Sequence, residues 1–168
     1  MKNLKSFDLF EAEDNAPVLY HGTTNEFDKF EVGKPISNAP YGAAIDNGLG
    51  IFFTDNLTMA KWFGKMIEYD GDKDKYVPVK GSKGRVIKAK VYLKNPFVVE
   101  SPDPDNEQDG VQEYFKAIQK AGGVEKFKKQ LLDKGYDGVV IEDSNTNYYK
   151  DGYYKVWIVF SPNQIKIA

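Results

Sequence analysis

The apolar residues of this chain fall in short runs whose order restricts the fold. Val18–Tyr20, Gly50–Thr54, Arg85–Leu93, Phe97–Val99, Val139–Ile141, Val156–Phe160 and Ile165–Ile167 each read as a strand, by alternation or by β-branched and aromatic content. Helical stripes interrupt them irregularly. Leu57, Ala60 and Phe63, or Met59, Trp62 and Met66, mark the inward face of a helix over about 56–67 with Asp55 as its N-cap. Val111, Tyr114, Phe115 and Ile118 sit at i, i+3, i+4 and i+7, and Val124, Phe127, Leu131 and Leu132 mark a third helix ended by Gly135. Strand and helix do not alternate one for one, so a doubly wound parallel sheet is disfavoured. About six or seven short strands and about three helices predict an α+β fold of two packed, mainly antiparallel sheets.

Residues 1–16 read as a separate tail. A short stripe (Leu4, Phe7, Leu9, Phe10) too brief to hold a helix alone runs into an acidic linker, Glu11–Pro17. Residues 17–168 then form one domain, which suits 168 residues in all. Long irregular stretches are expected at 31–50, 70–84, 101–110 and 143–153. No run approaches the roughly 18 apolar residues of a membrane helix, and the N-terminus lacks a secretory apolar segment, so no membrane partner is expected.

Composition narrows the chemistry. There is no cysteine and a single histidine, His21. Disulfides, thiolate nucleophiles, Cys-ligated metals and every two-imidazole mechanism are excluded, and no metal site is expected. No phosphate-binding Gly-rich loop, dinucleotide fingerprint or serine elbow occurs. The net charge of −2 argues against a broad basic face for nucleic acid, while 23 Lys and Arg leave a local basic groove open.

Four motifs remain. Tyr20-His21-Gly22-Thr23 ends a strand, and its glycine lets a ligand approach the backbone. Gly48-Leu49-Gly50-Ile51-Phe52-Phe53-Thr54-Asp55 is a glycine-flanked aromatic strand feeding a helix that carries Phe63. Gly135-Tyr136-Asp137-Gly138-Val139 reads as a turn between helix and strand. Trp157-Ile158-Val159-Phe160-Ser161-Pro162-Asn163-Gln164-Ile165-Lys166 closes the chain. Taken alone, each also reads as ordinary structure: a lone histidine after a strand commonly hydrogen-bonds within the fold, and on a strand Phe52 and Phe53 face opposite ways, so at least one is core.

In this order the motifs resemble the His-Tyr-Glu class of ADP-ribosyltransferases, the fold of poly(ADP-ribose) polymerases and diphtheria toxin, in its phage and polyvalent-protein branch. The resemblance implies an ADP-ribosyltransferase-like domain that takes NAD as substrate, with no metal. It implies that His21 holds the adenosine ribose and that the Gly22 backbone pairs with the nicotinamide amide. Phe52, in place of the family's tyrosine, and Phe63 would supply the rings on either side of nicotinamide. Tyr20, Thr23 and Gly50 would complete the NAD-binding set. The family's nicotinamide-contacting serine falls at Ala60. Its catalytic glutamate falls at Val156, so Glu142 or the neighbouring Asp143 is the candidate substitute, and His21, Phe52 and Glu142 form the expected catalytic set.

Loss of that glutamate implies mono-ADP-ribosylation rather than chain growth. The expected partners are NAD and a host protein acceptor, with nucleic acid the less favoured acceptor, and the protein is expected to act as a monomer in the host cytoplasm. Leu9-Phe10-Glu11-Ala12 resembles the site cut by phage prohead proteases, which implies a capsid-targeting peptide and packaging in the virion head. Two alternatives stay open: an inactive NAD-binding or protein-interaction module of the same fold, and a structural head component.

Overall fold

The computed structural model describes residues 15–32, 49–100, 110–145 and 153–168. The expectations for the N-terminal tail up to residue 14, for most of the 31–50 loop, for the acidic loop 101–109, for residues 146–152 and for the side chain of Asp143 lie outside the described residues.

Nine strands and three α-helices occur among the described residues: β1 (Val18–Thr23), β2 (Ile51–Thr54), α1 (Leu57–Phe63), β3 (Ile67–Asp70), β4 (Lys75–Pro78), β5 (Arg85–Val91), β6 (Pro96–Val99), α2 (Gly110–Ala121), α3 (Val124–Asp133), β7 (Gly138–Asn145), β8 (Tyr153–Val159) and β9 (Ile165–Ile167). Seven strands form one sheet in the order β6-β7-β8-β2-β1-β5-β9, and β3 and β4 form a separate hairpin. Every pairing is antiparallel except β6 with β7. That parallel pair needs a long crossover, which α2 and α3 supply. The fold is α+β with two sheets, as expected from the strand and helix order.

Each strand sorts its side chains by alternation. On β8, Val156 and Ile158 enter a cluster with Tyr114, Ile118, Phe127 and Leu131 from α2 and α3. Trp157 and Val159 face a second cluster with Leu19, Phe53, Ala89 and Val91. The sheet thus has an apolar layer on each face, and β2 and β8 lie between them.

Two local expectations are corrected. Asn56, not Asp55, caps α1: its side-chain oxygen accepts the Met59 amide at 3.1 Å. Asp55 instead accepts the backbone N–H of Lys155 at 2.8 Å, tying β2 to β8. And α1 stops at Gly64, so the stretch expected as helix end and loop is the β3–β4 hairpin. Its turn is held by Asp70, whose carboxylate accepts from the amides of Asp72 and Lys73. Tyr69 and Tyr76 meet edge-on across the strands at 5.6 Å. Its charged residues hid the pair from a pattern reading.

The Gly135–Val139 motif is a structural turn. Gly135 has φ 82°, a backbone conformation that side chains disfavour. Asp137 then accepts the amides of Lys94 and Asn95 at 2.7 and 2.9 Å. Gln164 donates to the Asp137 carbonyl at 3.0 Å, joining this turn to the C-terminal motif.

Candidate active site

The site forms where β1 and β2 part. Their pairing is registered at Tyr20 and Thr54. Beyond that pair, the carbonyl of Phe52 is taken by the imidazole of His21, with Nδ1 2.6 Å from the oxygen. A carbonyl can only accept, so Nδ1 carries the proton and Nε2 of the neutral ring presents a lone pair. Burial holds the His21 pKa below its usual 6.5; the bond to Phe52 opposes this, and the positive charge of Arg85 adds to the lowering. At neutral pH His21 is an uncharged ring that can accept a hydroxyl proton through Nε2.

Three phenylalanines surround that ring. Phe30 meets it edge-on at 5.2 Å, Phe27 edge-on at 6.0 Å, and Phe53 at 5.6 Å. Arg85 begins β5 opposite Thr23 and holds Phe27. Its guanidinium donates to the Phe27 carbonyl at 3.0 Å and stands 5.3 Å over the Phe27 ring. A cavity of about 630 Å³ opens beside this cage, lined by His21, Thr23, Asn25, Phe27, Phe30 and Gly50 among others. That volume lies within the range of small-molecule sites.

The other face of β1 is closed by α1. A Cβ built on Gly22 would lie 1.8 Å from the Ala60 carbonyl oxygen and 2.7 Å from the Gly64 nitrogen. Only glycine admits the helix this closely. Phe63 follows Ala60 by three residues and so shares its side of the helix. It is half-buried, with its ring 5.2 Å from Trp62.

The sequence-derived residues therefore divide. His21, Thr23 and Gly50 line the cavity. Thr23 is fully buried, and its hydroxyl accepts the Asn25 amide at 3.1 Å. Tyr20, Gly22 and Phe63 belong to the α1 side of the sheet. Phe52 touches both sides: its carbonyl holds His21, while its half-buried ring packs on the α2–α3 cluster, and Phe53 is the ring beside His21. Glu142 stands apart on β7, with β8 and β2 between its strand and β1, about 14 Å at the usual strand spacing. Its carboxylate pairs with Lys155 at 2.8 Å, both half-exposed. Val156 is 8% exposed, between Thr54 and Ile141 on the flanking strands.

Phe27, Phe30 and Arg85 were not legible as site residues. Phe27 and Phe30 follow the Tyr-His-Gly-Thr motif within ten residues, a proximity that marks a short return loop, but nothing local shows that it folds back on the histidine. Arg85 is reached only through strand pairing. Among the described residues, no cluster of three or more His, Asp or Glu could hold a metal ion, and no helix is long and apolar enough to cross a membrane.

Residues 12–168 match a family model described as ADP-Ribosyltransferase in polyvalent proteins. No curated protein matches the chain.

Proposed function

The chain belongs to this family of ADP-ribosyltransferases, and from that premise we propose that it cleaves NAD at the nicotinamide–ribose bond and passes a single ADP-ribose to a macromolecular acceptor, a host protein. The glycosidic C–N bond breaks with its electron pair going to nicotinamide. The acceptor's nucleophile closes on the ribose carbon and gives up its proton to solvent. The fold's part is to hold the donor rigidly and steady the cation that develops.

The observation that carries this reading is the His21–Phe52 bond, which fixes the tautomer so that Nε2 can accept from a ribose hydroxyl. The cavity beside it, lined by Thr23 and Gly50, suits the adenosine end. Gly22 offers backbone groups to the nicotinamide amide, with Tyr20 beside it on the same strand. Phe52 and Phe63 supply rings, for which a π face suffices. Glu142 is the carboxylate that stands in for the glutamate replaced by Val156. The motif series supports membership of the His-Tyr-Glu class in its phage branch. The proposal extends to a monomer acting in the host cytoplasm, with the resemblance of Leu9-Phe10-Glu11-Ala12 to a prohead-protease site supporting delivery in the virion head.

Incubation with labelled NAD and host lysate tests the reading. Transfer and nicotinamide release are expected from the wild type and not from His21→Ala; equal, background signals from both would sink it.

A second reading is favoured by Val156 and Glu142. The family's acid position is apolar and buried, and the substitute carboxylate is already paired with Lys155. On that reading the protein binds NAD, or a partner, without turnover. Calorimetric NAD binding with no nicotinamide release separates it from the first.

A further inference from the structure

The sheet face next to Gly22 is segregated by charge. Register places Tyr20 opposite Lys88, Val18 opposite Lys90, and Lys90 opposite Lys166. The alternate residues of β5, Ala89 and Val91, are buried in the cluster on the other face, so Lys88, Lys90 and Lys166 all stand on the outer one. Lys88 and Lys166 are exposed, and Val18 is 39% exposed. Among the described residues no carboxylate pairs with these lysines, and none of the strand residues sharing their face (Val18, Tyr20, Gly22, Val86) is acidic. In a chain of net charge −2 that segregation is marked. Lys90 and Lys166 also sit directly across from one another, a like-charge pairing that destabilises a sheet unless an anion relieves it.

The face is extended and edged by an aromatic. Lys88 and Lys90 are two residues apart on one strand, roughly 7 Å, with Lys166 about 5 Å across. A row of cations at that spacing beside a half-exposed tyrosine suits a chain of phosphates carrying stackable bases better than it suits one carboxylate. We propose that Lys88, Lys90 and Lys166, with Tyr20 at their edge, form a binding face for single-stranded nucleic acid, its phosphates on the lysines. The bound strand would run along β1 and β5 up to where α1 covers Gly22, on the opposite face of the sheet from the His21 cavity. This surface is independent of the transfer reaction: it predicts binding whether or not ADP-ribose moves.

The test is fluorescence anisotropy with labelled single-stranded DNA and RNA on the order of twelve nucleotides, and with an oligo-glutamate peptide of equal charge. The oligonucleotides are expected to bind with a slope of log K against log salt of about −2, the value for counterion release when three phosphates of a single strand are neutralised. Lys88→Ala/Lys90→Ala/Lys166→Ala should lose at least about tenfold in affinity and flatten that slope. Lys126→Ala/Lys129→Ala/Lys134→Ala, an equal charge change on and beside α3, should not, with circular dichroism confirming that both variants fold. Absent oligonucleotide binding, equal losses in the two triple variants, or tighter binding of the oligo-glutamate would each overturn the proposal, the last in favour of an acidic protein surface.

Discussion

His21 and Phe52 are joined across β1 and β2 by a 2.6 Å bond from the imidazole Nδ1–H to the backbone carbonyl. The contribution of Phe52 that the geometry displays is therefore its main chain. A substitution that keeps the backbone keeps the histidine's tautomer. Phe52→Leu is expected to retain NAD binding within a few fold while weakening any ring contact, whereas His21→Ala, which loses the positioning of the ribose, should reduce transfer at least about a hundredfold. Calorimetry with NAD measures the first and nicotinamide release the second.

The pH dependence has a definite sign. Burial lowers the folded pKa of His21 below 6.5. The unfolded chain then binds a proton that the folded one does not, in the window between the folded value and 6.5. Stability from this group is complete above 6.5 and is lost as pH falls toward the folded pKa. Because His21 is the only histidine, its C2 proton resonance reports the titration without ambiguity; a midpoint above 6.5 would contradict the burial argument.

Arg85→Gln removes the cation that pins Phe27 and helps to hold His21 neutral. The His21 resonance should titrate at higher pH than in the wild type, and NAD affinity should fall by about tenfold as the Phe27 segment loosens. A structural role alone would move the stability and leave the titration where it was.

Gly22→Ala drives a methyl into the Ala60 carbonyl and the Gly64 amide. Both are backbone, so α1 must shift. A loss of roughly 1–3 kcal/mol is expected by urea denaturation, the usual range for overpacking. Gly71→Ala meets nothing within 4 Å and should be near neutral.

Glu142→Gln is expected to slow transfer at least about tenfold without changing NAD affinity, since the carboxylate acts on developing charge. Lys155→Met, which frees the carboxylate from its 2.8 Å partner, should leave activity equal or higher. Unchanged rates in Glu142→Gln would remove Glu142 as the substitute acid, while NAD binding with no measurable rate in the wild type would favour the reading without turnover.

Much of the architecture was legible in the residue pattern because it is local. The seven apolar runs all became strands, and the stripes at 111–118 and 124–132 became α2 and α3, since alternation and 3.6-residue periodicity record which side faces a core. The hairpin of β3 and β4 escaped because its strands are half-exposed and charged, and its signal is a pairing of Tyr69 with Tyr76 rather than a run of apolar residues. Asn56 displaced Asp55 as the cap because Asp55 had a distant partner, the Lys155 amide.

By itself the amino-acid sequence determined the exclusions and the cast: one imidazole, no thiol, glycine beside the histidine, a valine where the resemblance puts the family's acid, and the apolar pattern of an α+β chain. The tertiary structure alone decided the company those residues keep. Phe27, Phe30 and Arg85 reach His21 through a returning loop and a neighbouring strand, Glu142 lies three strands away and pairs with Lys155, and lysines from β5 and β9 meet on one face. Burial, pKa and charge segregation depend on distances between residues far apart in the chain, and strand register sets those distances.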